Sequence, residues 1–222
     1  MDTIDLFCGC GGMSLGFQNA GVRIVAAYDN WEPAINVYKK NFGHPIYSED
    51  LSNEEIQNKI ANMHPDLIIG GPPCQDFSSA GHRNESLGRA SLSIAYSNII
   101  SKARPKYFVM ENVPEITKSE TLGKVTNVFR DAGYGITTIV LDASFCGVPQ
   151  SRKRFFMIGH LKDTDGFLLP ILNSHLAEKP MSMYDYFGDS LGTEYYFRVP
   201  RSYTRRGVFS IYEPFGIGLS TP

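Results

Sequence analysis

The chain has little excess charge of either sign and no long hydrophobic run. Of its 222 residues, 21 are lysine or arginine and 23 are aspartate or glutamate, which gives a net charge of −2. Proteins that hold a nucleic-acid backbone unaided rely on basic surface, so a chain of this charge is expected to need help if it acts on nucleic acid. No stretch approaches the ~18 apolar residues of a membrane span, and membrane embedding is not expected.

Cysteine is also scarce. The four cysteines stand at positions 8, 10, 74 and 146, without the paired spacing of a zinc site. We expect free thiols and no metal centre. The first residues lack a basic region followed by an apolar one, so we expect no signal peptide and a cytoplasmic location. A chain of 222 residues can form one well-buried unit and a small appendage.

Short apolar runs alternate with segments of helical periodicity. Strands are predicted near residues 4–7, 23–28, 66–69 and 107–110, and helices near 13–20, 34–42, 92–103 and 122–132. This order predicts an α/β fold with a mostly parallel, doubly wound sheet, whose ligands bind at the carboxyl ends of the strands. A further strand at 154–159 follows the run 136–141 after too short a link for a helical crossover, so it is expected to run antiparallel at or near the sheet edge.

The alternation weakens past about residue 164. We therefore predict a catalytic and cofactor-binding domain over residues 1–163 and a C-terminal extension over 164–222, with no clear element after residue 195.

A glycine-rich turn follows the first strand and lets the backbone approach a ligand closely. Its sequence is Cys8-Gly9-Cys10-Gly11-Gly12, and Ser14 stands where a dinucleotide fingerprint has its third glycine. Asp29, twenty residues after Gly9, can accept hydrogen bonds from both hydroxyls of a ribose, which favours an adenosine ligand. Asp50 can accept one from an exocyclic amine. Helix capping is the alternative for both carboxylates.

Cys74 follows two prolines at the end of the predicted strand 66–69. The prolines fix the backbone and hold the thiol on a stiff loop, which suits a nucleophile. A buried structural cysteine is the alternative.

Glu111 closes the strand 107–110, and a doubly wound sheet places it beside the Cys74 loop. A carboxyl group that is partly removed from water keeps its proton to higher pH and can donate it. Alternation directs Arg152 and Arg154 to one side, where they can lower the thiol's pKa, hold a phosphate or polarise a carbonyl. Solvated surface charge is the alternative for the arginines.

Four motifs, in order, resemble those of the cytosine-C5 DNA methyltransferases. They are the segment from Asp5 to Gly12, Pro72-Pro73-Cys74-Gln75, Glu111-Asn112-Val113, and the segment from Gln150 to Arg154. The resemblance implies a Rossmann-like, S-adenosylmethionine-dependent methyltransferase fold, with Asp29 binding ribose, Asp50 contacting adenine, and residues 89–92 lining the cofactor and target pocket.

The resemblance assigns three groups of site residues. The implied catalytic residues are Cys74, Glu111, Arg152 and Arg154. The implied cofactor-binding residues are Phe7, Cys8, Gly9, Gly11, Gly12, Asp29, Asn30, Asp50, Leu51, Pro72 and Leu92. The implied substrate-binding residues are Gln75, Ser78, Asn112, Val113 and Gln150.

The family's chemistry explains these residue types. Addition of the Cys74 thiolate to cytosine C6 lets C5 attack the methyl group, while Glu111 stabilises the adduct at N3 and the exocyclic amine and Arg152 contacts O2 or its surroundings. S-adenosyl-L-homocysteine and 5-methylcytosine are the implied products. The implied substrate is double-stranded DNA, and the target base must be flipped out of the stack.

The chain departs from the family after the arginine motif. Members continue through a target-recognition region to a closing helix, and the expected Pro-Thr-Ile is replaced here by Gly216-Ile217-Gly218. We expect the catalytic subunit of a split restriction-modification methyltransferase, with a second polypeptide supplying the missing parts. The alternatives are a truncated or catalytically silent interaction module and an RNA cytosine-C5 methyltransferase.

Overall fold

The computed structural model describes residues 1–73 and 90–188. The predicted nucleophile Cys74 and the predicted substrate contacts Gln75 and Ser78 lie outside the described residues. So does the tail after residue 188, including the glycine-rich sequence at 216–218.

A seven-stranded sheet forms the centre of the described structure. Its strands are β1 Asp2–Leu6, β2 Arg23–Asp29, β3 Ile46–Ser48, β4 Leu67–Gly70, β5 Tyr107–Asn112, β6 Tyr134–Asp142 and β7 Lys153–Leu161. They lie side by side in the order β3-β2-β1-β4-β5-β7-β6. The first five are parallel, and β7 pairs antiparallel with both β5 and β6. The predicted α/β fold is confirmed, and so is the antiparallel strand, which lies second from the edge.

Among the described residues, five α-helices lie between successive strands and two follow β7. They are α1 Gly12–Asn19, α2 Glu32–Asn41, α3 Glu54–Ala61, α4 Ala90–Ala103, α5 Glu120–Asp131, α6 Leu169–Ser174 and α7 Met183–Phe187. Short 3₁₀ helices span Pro114–Lys118 and Ala143–Phe145. The helix α3 lies outside the predicted helices because its sequence is mostly polar and only Gln57 and Ile60 are buried.

Apolar side chains cover both faces of the sheet. On one face Ile68 and Phe108 pack with Tyr96 and Ile99 of α4 and Phe129 of α5. On the other face a smaller cluster formed by Ile24, Leu67 and Ile69 packs against Met13 and Phe17. This two-sided burial explains why the central strands are continuous apolar runs rather than alternating ones.

One cross-strand pair shows how closely the core is packed. Gly159 on β7 pairs with Phe108 on β5, and a Cβ atom at Gly159 would lie 2.0 Å from the Phe108 ring. The glycine makes room for a fully buried aromatic side chain.

Contacts group Met1–Tyr186 into one compact unit and Phe187–Pro222 into another. The division at residue 163 between a catalytic domain and an extension stays a prediction. Within the described part of the chain, no helix combines the length and the apolar character that crossing a bilayer requires.

Candidate active site

Two cavities lie at the carboxyl ends of the parallel strands. The first has a volume of about 300 Å³ and is lined by Phe7, Asp29, Asn30, Trp31, Glu49, Asp50, Leu51, Gly71, Pro73 and Leu92. Six of these residues belong to the predicted cofactor-binding set. The other four, Trp31, Glu49, Gly71 and Pro73, were not predicted, although Trp31 is the one tryptophan of the chain and directly follows Asp29 and Asn30.

The Asp29 carboxylate, at the end of β2, links two loops. Its Oδ2 accepts a hydrogen bond from the backbone N–H of Gly9 at 2.8 Å, and its Oδ1 accepts one from the N–H of Trp31 at 2.8 Å. Each oxygen has a second lone pair that can face the first cavity. The residue at the N-cap position of α2 is Trp31, not Asp29, and it makes no side-chain capping bond. Asp29 is therefore not a helix cap.

The Asp50 carboxylate has a local partner on one oxygen. Its Oδ1 accepts hydrogen bonds from the N–H and the hydroxyl of Ser52, at 2.9 and 2.7 Å. These bonds hold the pKa of Asp50 below its usual value. The N-cap of α3 is Asn53, so Asp50 is not a helix cap either.

The turn from Phe7 to Gly12 adopts the tight conformation that its glycines predict. Gly9 and Gly11 have φ values of 54° and 95°, and Phe7 itself has a φ of 56°. A Cβ at Gly11 would lie 2.2 Å from the Phe42 ring, so this position requires glycine for space as well as for conformation. A phenylalanine held at positive φ is strained, and such strain is concentrated at functional sites.

The second cavity, of about 620 Å³, adjoins the first. It is lined by Asp5, Phe7, Cys8, Gly12, Met13, Gly71, Glu111, Leu141, Ala143, Cys146, Arg152, Arg154 and Phe156. Phe7 and Gly71 border both cavities. The structure therefore brings the predicted acid Glu111 and both predicted arginines to one cavity, next to the one that holds Asp29 and Asp50.

Glu111 lies between a cation and the start of the Cys74 loop. Its Oε1 is 3.0 Å from Arg154 Nε, with about a quarter of each side chain exposed. A Cβ built at Gly71 would lie 3.2 Å from Glu111 Oε2, so the loop backbone passes close to the carboxyl group. Burial raises the pKa of Glu111 above its usual value, and the charges of Arg154 and Arg152 offset part of that increase.

Asn112 faces the opposite side of β5 and is buried. Its Nδ2 donates to the carbonyl oxygen of Pro72 at 2.9 Å, and its Oδ1 accepts from the N–H of Val113. The amide thus connects the Cys74 loop to the strand that carries Glu111. Neither cavity is lined by Asn112, Val113 or Gln150, and their contact with substrate stays a prediction.

The sequence has clear similarity to a known protein family. The model described as C-5 cytosine-specific DNA methylase matches residues 1–205. The chain belongs to this family. The resemblance stated from the four motifs is confirmed.

Two type II methyltransferases are close relatives of this C-5 cytosine methylase. It is 58% identical to M.HindV of Haemophilus influenzae over 215 residues, which cover 96% of this chain and 71% of that protein. It is 51% identical to M.HgiDI of Herpetosiphon aurantiacus over 215 residues, which cover 96% of this chain and 70% of that protein.

Solved structures of similar proteins share the fold. A DNA modification methyltransferase encoded within an Escherichia coli prophage is 32% identical, with a TM-score of 0.68 over 85% of this methylase and 54% of that chain. The S. pombe Dnmt2 methyltransferase is 23% identical and has a TM-score of 0.68, with 82% of this chain and 57% of that chain covered. At this identity the similarity supports the fold alone. The chain spans little more than half the length of these two solved proteins.

Proposed function

We propose that this chain transfers a methyl group from S-adenosylmethionine to C5 of cytosine in double-stranded DNA, through a covalent adduct on Cys74. The main support is the position of Glu111. Glu111 has a raised pKa, contacts Arg154 and lies close to the backbone of Gly71, three residues before Cys74. It lines the second cavity, which adjoins the first cavity with Asp29 and Asp50.

The first cavity suits the adenosine part of the cofactor. Carboxylates at its wall can accept hydrogen bonds from ribose hydroxyls and an exocyclic amine, and the rings of Phe7 and Trp31 offer faces for a heteroaromatic base. The tight glycine turn borders the second cavity at Gly12. When bound, S-adenosylmethionine supplies an electrophilic methyl group on a sulfonium.

We assign complementary roles to Cys74 and to three residues that line the second cavity, Glu111, Arg152 and Arg154. Cys74 is the nucleophile that adds to C6, and the cation of Arg154 holds the Glu111 carboxyl group in place. Glu111 donates a proton toward N3 of the ring, which stabilises the adduct that the thiolate forms. Arg152 adds a positive charge at the cavity wall near the carbonyl oxygen O2. A base inside a duplex cannot reach this cavity without flipping out of the stack.

A methyl-transfer assay with isotopically labelled cofactor tests the proposal. We expect label in duplex DNA with the wild-type chain and its partner, and none with Cys74→Ala, because the thiolate is the nucleophile. DNA containing 5-fluorocytosine should form an adduct that survives denaturation only when Cys74 is present. Cys10→Ala is the matched control, since Cys10 is exposed and lines neither cavity.

The same assay distinguishes the alternatives. Label in tRNA but not in DNA would contradict the DNA substrate. Absence of transfer to either nucleic acid in the presence of the partner, with an intact fold, would indicate an interaction module. An adduct that persists in Cys74→Ala would exclude the role of that thiol.

We further propose that a second polypeptide of a restriction-modification system supplies target recognition and the helix that completes the cofactor site. The net charge of −2 is low for a protein that holds DNA alone, so a basic partner would supply the missing attraction to the DNA backbone. Co-purification from the native source is expected to recover a partner that restores sequence-specific methylation. Full site-specific methylation by the purified chain alone would contradict this proposal.

A further inference from the structure

A continuous line of hydrogen-bonded side chains leads from the second cavity to a half-buried histidine. The Oγ of Ser14 on α1 lies 2.6 Å from Asp5 Oδ2 and 2.7 Å from the hydroxyl of Tyr38 on α2. The Tyr38 hydroxyl in turn lies 2.5 Å from Nε2 of His44. Asp5, Ser14 and Tyr38 are fully buried, and the proposed catalytic steps use none of the four residues.

The number of hydroxyl protons allows two arrangements of this line. Ser14 and Tyr38 have one hydroxyl proton each, so all bonds must run in the same direction. If Asp5 is ionised, Ser14 donates to it, Tyr38 donates to Ser14, and Nε2–H of His44 donates to Tyr38. If Asp5 carries a proton on Oδ2, every bond reverses and His44 Nε2 becomes an acceptor, so the ring proton is on Nδ1. The tautomer of His44 therefore depends on whether Asp5 carries a proton on Oδ2.

Asp5 is placed to respond to a charge in the cavity. It borders the second cavity, and its Oδ1 has no hydrogen-bond partner among the residues that the structure describes. An unpaired carboxylate oxygen in a buried position is costly unless a cation or a proton compensates it.

The environment of Asp5 contains groups of both signs. The titratable groups around it are Cys8, Asp29, Tyr38 and Tyr96. Glu111, Arg152 and Arg154 line the same cavity. Burial raises the pKa of Asp5 to about 7, the hydrogen bond from Ser14 opposes that increase, and the Asp29 charge adds to it. Burial also lowers the pKa of His44.

We propose that Asp5, Ser14, Tyr38 and His44 form a proton relay that exchanges one proton between solvent and the second cavity, with its direction set by the charge bound there. As Asp5 takes up a proton, the Ser14 proton moves to Asp5 Oδ2, the Tyr38 proton moves to Ser14, and the Nε2 proton of His44 moves to Tyr38. Neutral His44 gains a proton from water at Nδ1, so one proton enters from solvent and no other bond changes.

The coupling to the reaction rests on the proposed function. A sulfonium cofactor is a cation, and it favours the ionised form of Asp5. Its product after methyl transfer is a neutral thioether, which leaves the buried carboxylate without that compensation. The relay then favours inward proton movement, so the two ligands are bound with different numbers of protons.

The relay can be tested in the ligand-free protein by ¹⁵N NMR of the histidine side chains between pH 6 and 9. We expect His44 to change from the Nδ1–H tautomer to the Nε2–H tautomer as Asp5 ionises near pH 7. Tyr38→Phe removes one hydroxyl and should abolish the switch. The exposed His64 serves as an internal control in the same spectra. A single His44 tautomer across this range, or a switch that persists in Tyr38→Phe, would overturn the relay.

The coupling is tested by calorimetry at pH 7 in buffers of different ionisation enthalpy. S-adenosylmethionine is expected to release up to about one more proton on binding than S-adenosylhomocysteine does, and Asp5→Asn should remove that difference. If Asp5→Asn does not fold, the wild-type difference should diminish between pH 7 and 9, where Asp5 is already ionised. Equal proton counts for the two ligands would overturn the coupling, whereas failure of both ligands to bind would overturn the proposed function and leave the NMR test of the relay intact.

Discussion

At the scale of single residues, Glu111 is subject to opposing electrostatic influences. Removal from water disfavours its carboxylate form, while Arg154 at 3.0 Å and the charge of Arg152 favour it. The net result is a raised pKa, so Glu111 keeps its proton to a higher pH than an exposed glutamate does. Its capacity to donate a proton falls as the pH rises through that pKa, and the proton-donating step should slow in the same direction.

Arg154→Gln is expected to raise the pKa of Glu111 further, because the closest cation is lost while the burial remains. The pH titration of the Glu111 carboxyl carbon by ¹³C NMR measures this shift. Arg130→Gln is the matched control, since Arg130 pairs with Asp165 at 2.8 Å on the surface and does not contact the cavities. A Glu111 pKa that falls or stays constant in Arg154→Gln would contradict this account of the site.

At the scale of elements, the end of β5 serves two functions through strand alternation. Glu111 lies at the second cavity and the next residue, Asn112, lies on the opposite face, where it bonds to Pro72. Successive side chains of a strand point to opposite faces, so adjacent residues can contribute an acid and a loop anchor. Pro72, two residues before Cys74 in the sequence, is thereby bonded to the strand that carries Glu111.

Asn112→Asp should weaken this anchor without changing the size of the side chain. The new carboxyl group loses the N–H donor to Pro72 and places an acceptor against a buried carbonyl, which we expect to cost about 1–3 kcal/mol of unfolding free energy. Methyl transfer should fall by about tenfold to a hundredfold because the nucleophile loop is misplaced.

Thermal unfolding and labelled-methyl kinetics measure these two effects. Asn41→Asp is the control, because the exposed Asn41 amide donates to its own helix at Val37. Equal losses of stability and activity in the two variants would argue against a specific loop anchor.

At the scale of the whole molecule, the strand order brings distant segments to one edge. Because β1 lies between β2 and β4, and β5 follows β4, the carboxyl ends of these four strands are contiguous. Phe7, Asp29, Gly71 and Glu111 come from the four strand ends and border two adjoining cavities. A ligand that spans both cavities would contact all four segments and stabilise the sheet as a unit.

S-adenosylmethionine should therefore raise the melting temperature of the chain. At a concentration of 100 Kd, binding to the folded state alone contributes about 2.7 kcal/mol. For a chain of this size, this corresponds to an increase of about 5–10 °C. Differential scanning fluorimetry measures the shift.

Asp29→Ala should lose most of this shift, because both loops at the first cavity depend on that carboxylate. Glu54→Ala should retain it, since Glu54 is exposed and pairs with Lys102 away from both cavities. A similar loss of the shift in both variants would indicate that the ligand does not bind at Asp29.

Local sequence signals were sufficient to predict most of the strands and helices and to recognise the family. Apolar runs punctuated by glycine and proline predicted β1, β2, β4 and β5 because these signals act over a few residues. Polar α3 gave no such signal, and its position follows from packing. The motif resemblance identified the family, which the family model confirms, while the roles of the individual site residues stay predictions.

The tertiary structure alone decided which of these residues share a cavity and which bond to each other. No local pattern joins Asp5, Ser14, Tyr38 and His44, which come from β1, α1, α2 and the loop before β3. No local pattern predicts the hydrogen bond from the Asn112 amide to Pro72, which lies forty residues earlier in the sequence. Such contacts depend on the order of the strands and the packing of helices on the sheet, and both are set by burial summed over the whole chain.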